Sequence, residues 1–176
     1  MSIWRTKFTP AFFAVLVPVY VSDLFSKLWI LKNFTTEGQS EPVLGNFLHF
    51  TLTYNRGGVF GLAQGYAWLF QILTGFAILF LLFYYYRSPE NSKVFSLAIA
   101  AILGGALGNF TDRFYGSIPG VVDFIDVRFG AFRWFVFNIA DAFICVGACL
   151  LAISFYQFEK AEKAAAAQAA EGENKV

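Results

Sequence analysis

Four apolar runs, at residues 12–30, 66–86, 94–111 and 136–158, limit what this chain can fold into more than any other feature. Each is close to the roughly 20 residues that an α-helix needs to cross a bilayer. Inside lipid every backbone N–H and C=O must find its partner within the element, so runs of this length predict helices. Composition agrees. Hydrophobic residues make up 57% of the chain and charged residues 14%, against about 25% charged in an ordinary soluble domain. Arg5 and Lys7 before an apolar run suit a cleavable leader, but that run carries Asp23 and Lys27 and no small-residue cleavage site follows, so it reads as the first span. A net charge of +1 offers no basic balance for nucleic acid. Cys145 and Cys149 stand one helical turn apart in an apolar run, and the sole histidine, His49, adds no metal-ligand pattern. The cysteines read as helix packing. With neither repeat nor second domain in view, residues 1–176 form one integral membrane domain of all-α class.

Four spans impose parity. The end of the first, the start of the second, the end of the third and the start of the fourth must share one side. Asp23, Lys27, the turn from Asn55 to Gly61, the corner Asn109–Asp112–Arg113, Asp123 and Asp141 therefore meet at one membrane face. Residues 33–65 are the longest non-spanning stretch on that side. Within them Leu48, Phe50, Leu52 and Tyr54 alternate with His49, Thr51, Thr53 and Asn55, the period of a strand, so a small sheet on the membrane surface is expected. Glycines 57, 58 and 61 permit close approach to a ligand, or serve only a hairpin turn. Gly104, Gly105 and Gly108 form a packing face on the third span. Residues 114–134 read as an interfacial loop, and the alanine-rich tail 159–176 as helix running into water and then fraying. Basic residues divide seven against six between the two sides. The first helix usually dominates, and Arg5 and Lys7 precede it, which places both termini in the cytoplasm and the polar cluster on the periplasmic side.

Chemistry narrows by elimination. There is no serine with a paired histidine and no cysteine beside a base. Carboxylates remain, and Asp123 and Asp141 sit in apolar contexts (Val121-Val122-Asp123-Phe124-Ile125 and Asn138-Ile139-Ala140-Asp141-Ala142) that penalise charge. Two carboxylates held close cannot both ionise. One then draws a proton from water while the other protonates the leaving amine, which is aspartic peptide hydrolysis. Neither cofactor nor metal is required. Asn55, Asn109, Asn138 and Arg113 are candidates to orient the substrate or the carboxylates. Asp112 reads as an anchor for Arg113, and Asp23 and Lys27, one turn apart, as a brace within the first helix. Asp126, three residues after Asp123, is a second candidate for the same role. A transporter would also use intramembrane carboxylates, though nearer the mid-plane, and a membrane scaffold would need no convergent polar site.

Five blocks appear in order: Asp23-Leu24-Phe25-Ser26-Lys27; Asn55-Arg56-Gly57-Gly58-Val59-Phe60; Gly104-Gly105-Ala106-Leu107-Gly108-Asn109-Phe110-Thr111-Asp112-Arg113; Val121-Val122-Asp123-Phe124; and Phe137-Asn138-Ile139-Ala140-Asp141. Through them the chain resembles the bacterial lipoprotein signal peptidases, or signal peptidase II, over essentially its whole length. The resemblance implies four transmembrane helices with a small periplasmic β-cradle and a short periplasmic helix over the site, in the inner membrane. It implies cleavage of diacylglyceryl-modified prolipoproteins just before the lipidated cysteine. It matches the family's catalytic pair to Asp123 and Asp141, and its supporting positions to Asp23, Lys27, Asn55, Gly57, Gly108, Asn109, Asp112, Arg113 and Asn138. Globomycin is the inhibitor it implies, membrane lipids are the surroundings, and the chain is expected to act as a monomer. Val59 departs from the alanine or serine common at that place.

Overall fold

The computed structural model describes residues 7–57, 67–114 and 119–173. Its elements run α1 (Pro10–Asn33), β1 (Ser40–Leu44), β2 (Leu48–Asn55), α2 (Ala67–Arg87), α3 (Lys93–Asp112), β3 (Val121–Phe129), β4 (Phe132–Arg133) and α4 (Ile139–Glu173). All four helices are long and apolar enough to cross a membrane. Among the described residues no short helix accompanies them. The 58–61 part of the glycine turn, Val59 included, lies outside those residues.

Each helix start has a chemical reason. Pro10 opens α1, where a missing N–H costs nothing, and the Thr9 hydroxyl accepts from the Phe12 amide at 3.3 Å. Ser92 caps α3 in the same way, accepting from the Phe95 amide at 3.1 Å. The described part of α4 runs on through the alanine-rich segment to Glu173, carried by alanine's helix propensity.

Helix α3 is the centre of the bundle. Its residues Phe95, Ala98, Ile99, Ala100, Leu103, Gly104, Gly105 and Gly108 are buried, and α1, α2 and α4 all pack on it. By contrast α2 turns Trp68, Phe76, Leu79, Phe80 and Phe83 outward. Phe12, Ile78, Tyr85, Phe95, Ile99 and Leu103 form the main apolar cluster. A second cluster of Ile30, Phe34, Leu52, Val122 and Phe124 fastens the end of α1 to the sheet.

That sheet is antiparallel with strand order β1-β2-β3-β4. The alternation read in residues 48–55 is β2. The stretch 114–134, expected as loop, is instead largely strand: β3 runs nine residues and turns back at Gly130, whose φ of +59° suits glycine. Its apolar run has no clean alternation because four consecutive residues, Val121 to Phe124, are buried, Val122 and Phe124 against the end of α1 and Val121 and Asp123 toward the site. Pairing sets Asp123 opposite Thr53 and Val121 opposite Asn55.

Close approach of α3 and α4 rests on Gly105. A Cβ there would stand 2.5 Å from the Ala140 carbonyl oxygen and 2.8 Å from Ile144 Cγ1. We expect Gly105→Ala to cost about 1–3 kcal/mol, read as a lower thermal midpoint in detergent. Gly75→Ala, whose Cβ would meet only the Phe110 ring at 3.4 Å, should change little.

Candidate active site

The helix ends build the site from behind. Lys27 of α1 is 2% exposed, and its ammonium reaches Asp23 Oδ2 at 2.7 Å, Asp112 Oδ2 at 2.8 Å and Asn109 Oδ1 at 2.9 Å. Two ion pairs and one hydrogen bond surround the charge, the condition under which a buried ammonium is tolerable. Asp23 also uses Oδ1, which accepts from the Ala140 amide in the first turn of α4 at 2.9 Å. Asp112 accepts from the Val122 amide at 3.1 Å and so ties α3 to β3. The brace expected within α1 thus joins three helices and the sheet. Asp112 does not anchor Arg113, as its sequence neighbourhood suggested. It turns to Lys27 and β3, while Arg113 Nη1 donates to the Asn109 carbonyl oxygen at 3.0 Å. Gly108 makes room for Asp23, whose carboxylate fills the place a Cβ would need.

From this base two amides reach forward. Asn109 Nδ2 donates to Asp141 Oδ1 at 2.8 Å, and its Oδ1 accepts from Asn138 Nδ2 at 3.0 Å as well as from Lys27. Asn138 Nδ2 also donates to Asp123 Oδ1 at 2.7 Å. Asn138 and Asp141 close a reciprocal cap on α4: Asn138 Oδ1 accepts from the Asp141 amide at 2.9 Å, and Asp141 Oδ2 accepts from the Asn138 amide at 3.3 Å. The helix start therefore orients Asp141, and Asn138 donates to both carboxylates, to Asp123 from its carboxamide and to Asp141 from its backbone amide.

Asp123 and Asp141 share a cavity of about 500 Å³ with Asn55, Asn109 and Arg113. The other walls are mostly apolar, among them Phe70, Ala106, Val136, Phe137 and Ile144. Burial pushes the Asp123 carboxyl up to about 8, helped by the neighbouring charge of Asp141, while Lys27 and the Asn138 and Asn55 amides pull the other way. Asn55 takes the Gly57 amide on its Oδ1 at 3.2 Å, so Gly57 shapes the rim and stays outside the wall. Arg56 faces outward and pairs with Glu37.

Asp126 does not belong here. Residues three apart on a strand point to opposite faces, and Asp126 lies on the other face of β3 from Asp123. It is fully buried and accepts from Thr51 Oγ1 at 2.6 Å, Arg128 Nε at 3.0 Å and Arg133 Nε at 2.8 Å. Burial alone would raise its carboxyl. The hydrogen bonds from Arg133, Arg128 and Thr51 together hold it well below the usual carboxylate range. Sequence reading missed Thr74, Ile144 and Cys145 as cavity wall. Helical spacing carries the signal for the last two, three and four residues after Asp141.

The fold and the site define a multi-pass membrane protein with two carboxylates facing one cavity beside the helix ends. A family model described as signal peptidase (SPase) II matches residues 15–157. The chain belongs to the signal peptidase II family, and it is a membrane protease that removes signal peptides from prolipoproteins. It is 32% identical over 152 residues to the lipoprotein signal peptidase of Halalkalibacterium halodurans, a match covering 86% of this chain and 96% of that protein. Two solved structures share the fold, both described as bacterial membrane enzymes determined by the in meso method. One, at 2.3 Å, has a TM-score of 0.75 and 29% identity over 85% of this chain and 90% of that one. The other, at 1.9 Å, has a TM-score of 0.72 and 30% identity over 84% and 94%.

Because the Asp126 carboxyl is depressed, its stabilisation is complete above the ordinary carboxylate value and is lost as pH falls through the depressed one. We expect Asp126→Asn to cost about 2 kcal/mol at neutral pH, less than a fully buried pair would, since Arg133 is half exposed. The gap between wild type and variant, followed by thermal unfolding in detergent, should narrow below about pH 4.

Proposed function

We propose that Asp123 and Asp141 are the catalytic pair of an aspartic endopeptidase that cuts diacylglyceryl-modified prolipoproteins before the lipidated cysteine. One observation carries the reading: both carboxylates open on one largely apolar cavity and both accept from Asn138, Asp123 from its carboxamide and Asp141 from its backbone amide, with Asp123 raised to about 8. At neutral pH the pair holds one proton. Water between the carboxylates gives a proton to the ionised one as its oxygen bonds to the scissile carbonyl carbon. The protonated one donates to the carbonyl oxygen, which becomes a hydroxyl of the tetrahedral intermediate. Collapse breaks the C–N bond as the carbonyl re-forms: the carboxyl that took the water's proton passes it to the leaving amine, and the other carboxylate takes back a hydroxyl proton, which restores the pair. Arg113 and Asn55, both in the wall, orient the substrate backbone, while Phe70, Ala106 and Ile144 suit the diacylglyceryl chains and would equally admit globomycin. The setting we infer is the bacterial inner membrane, with both termini cytoplasmic, the aspartates on the periplasmic side and the chain monomeric among lipids.

A gel-shift assay with a lipidated prolipoprotein and its unlipidated twin tests this. Wild type should cleave only the lipidated form. Asp123→Asn and Asp141→Asn should each lower turnover by more than about a hundredfold while the protein stays folded. Asp126→Asn should retain turnover per folded molecule, and turnover near wild type in Asp141→Asn would sink the reading.

The raised Asp123 also sets a pH limit. Below about 8 the pair keeps its proton, and above it both carboxylates are charged and the acid is lost. Turnover should therefore fall as pH rises through about 8, and an activity profile flat to pH 10 would remove Asp123 as proton holder.

A further inference from the structure

A second cavity, of about 340 Å³, adjoins the one that holds the aspartates. Trp134 and Val136 stand in the walls of both, so the two lie side by side with that pair of residues between them. The Trp134 amide donates to the Val127 carbonyl oxygen at 2.8 Å and fixes the partition to β3. Beyond it the lining changes character. Thr51, Thr53 and Arg133 wall the second cavity, and Gly38 adds no side chain to it. Nothing in the reaction above uses these groups. Arg133 Nε and Nη2 donate to Asp126 at 2.8 and 2.7 Å, its Nη1 makes no bond among the described residues, and the side chain is 51% exposed. Asp126 does not cancel its charge, because Arg128 holds the same carboxylate. One negative charge meets two positive ones, and a single positive charge is left over. The Thr53 hydroxyl is also without a partner among the described residues.

We propose that this cavity binds the mature segment of the prolipoprotein just past the lipidated cysteine, and that Arg133 and Thr53 donate there to an acidic side chain. The inference rests on the cleavage proposed above. Two segments of the substrate leave the scissile bond in opposite directions. The signal peptide is apolar and keeps to lipid and to the helix walls. The mature chain must reach water, and a cavity lined by hydroxyls and a guanidinium is the one that suits it. An aspartate cavity of about 500 Å³ is on the order of 8–10 Å across, and extended chain covers about 3.3 Å per residue, so the third residue after the cysteine falls beyond Trp134. A carboxylate in that place meets the uncancelled positive charge, and an ammonium is repelled by it. Half exposure of the guanidinium keeps the effect modest, roughly threefold in affinity.

Cleavage kinetics of the full chain in detergent test this. The substrates are lipidated prolipoproteins whose second to fifth residues after the cysteine are all Asn, or carry one Asp or one Lys at each place in turn. Asp should lower KM most at the third place, roughly threefold against the Asn parent, with kcat unchanged. Lys there should raise KM, and both effects should shrink at about 1 M salt. Arg133→Gln should level the Asp, Asn and Lys substrates, and Thr53→Val should reduce the Asp advantage. The wild-type series with its salt dependence tests the idea even if Arg133→Gln fails to fold. One KM whatever the charge at all four places, or an Asp advantage that survives in folded Arg133→Gln, would overturn the subsite and leave the cleavage reading intact. A folded wild type that cleaves none of the substrates would overturn the cleavage reading itself.

Discussion

The polar end of this membrane protein hangs on one buried ammonium. Lys27 draws Asp23, Asp112 and Asn109 onto itself, and each of these grips something further: the first turn of α4, the first residues of β3, and Asp141. Remove the charge and two carboxylates are left facing each other where water cannot reach. Such a group is retained less for net stability than because it admits only one arrangement of its partners. Helix packing alone would leave α1, α3 and α4 free to slide by fractions of a turn. The ammonium removes that freedom at the end where two carboxylates must be held in register.

The glycines of α3 do the complementary work. Gly105 lets the α4 backbone come close enough for Asn138 to reach Asn109, and Gly108 leaves space for Asp23. Close packing and the polar network are thus one device. Without the small residues the hydrogen bonds would not reach, and without the hydrogen bonds nothing would orient Asp141.

Much of this was legible in the residues, for a physical reason. Lipid forces helices on long apolar runs, and four runs force parity, so the meeting of Asp23, Asn109, Asp123 and Asp141 at one end followed from counting. The partner of each charge did not follow. Adjacency suggested Asp112 with Arg113, but neighbours at a helix end point in different directions, and Asp112 reaches Lys27 across the α1–α3 contact. The same limit hid β3. Buried on both faces at Val121–Phe124, it lacks the alternation that exposed β2, and the turn at Gly130 gave little else to read. With β3 taken as loop, only the Val-Asp-Phe context favoured Asp123 over Asp126. As a strand it puts them on opposite faces at once.

That pair of aspartates shows what decides protonation here. Both sit on β3 and neither has much exposed surface, but Asp126 lies shallow beneath the half-exposed Arg133 and Asp123 lies deeper. Partners separate them further. Asp126 has two guanidinium groups, and these more than offset the cost of burial, leaving a carboxylate locked into a latch for the β3–β4 turn. Asp123 has neutral amides from Asn138 and Asn55, a more distant Lys27, and a like charge across the cavity, so burial prevails and the proton stays to about pH 8. An arginine delivered to Asp123 would make it a second latch, and a second latch could not exchange protons. The site keeps Lys27 one residue back, behind the asparagines, and Arg113 in the cavity wall turns Nη1 to the Asn109 carbonyl oxygen. It therefore fixes the geometry of the carboxylates without neutralising them.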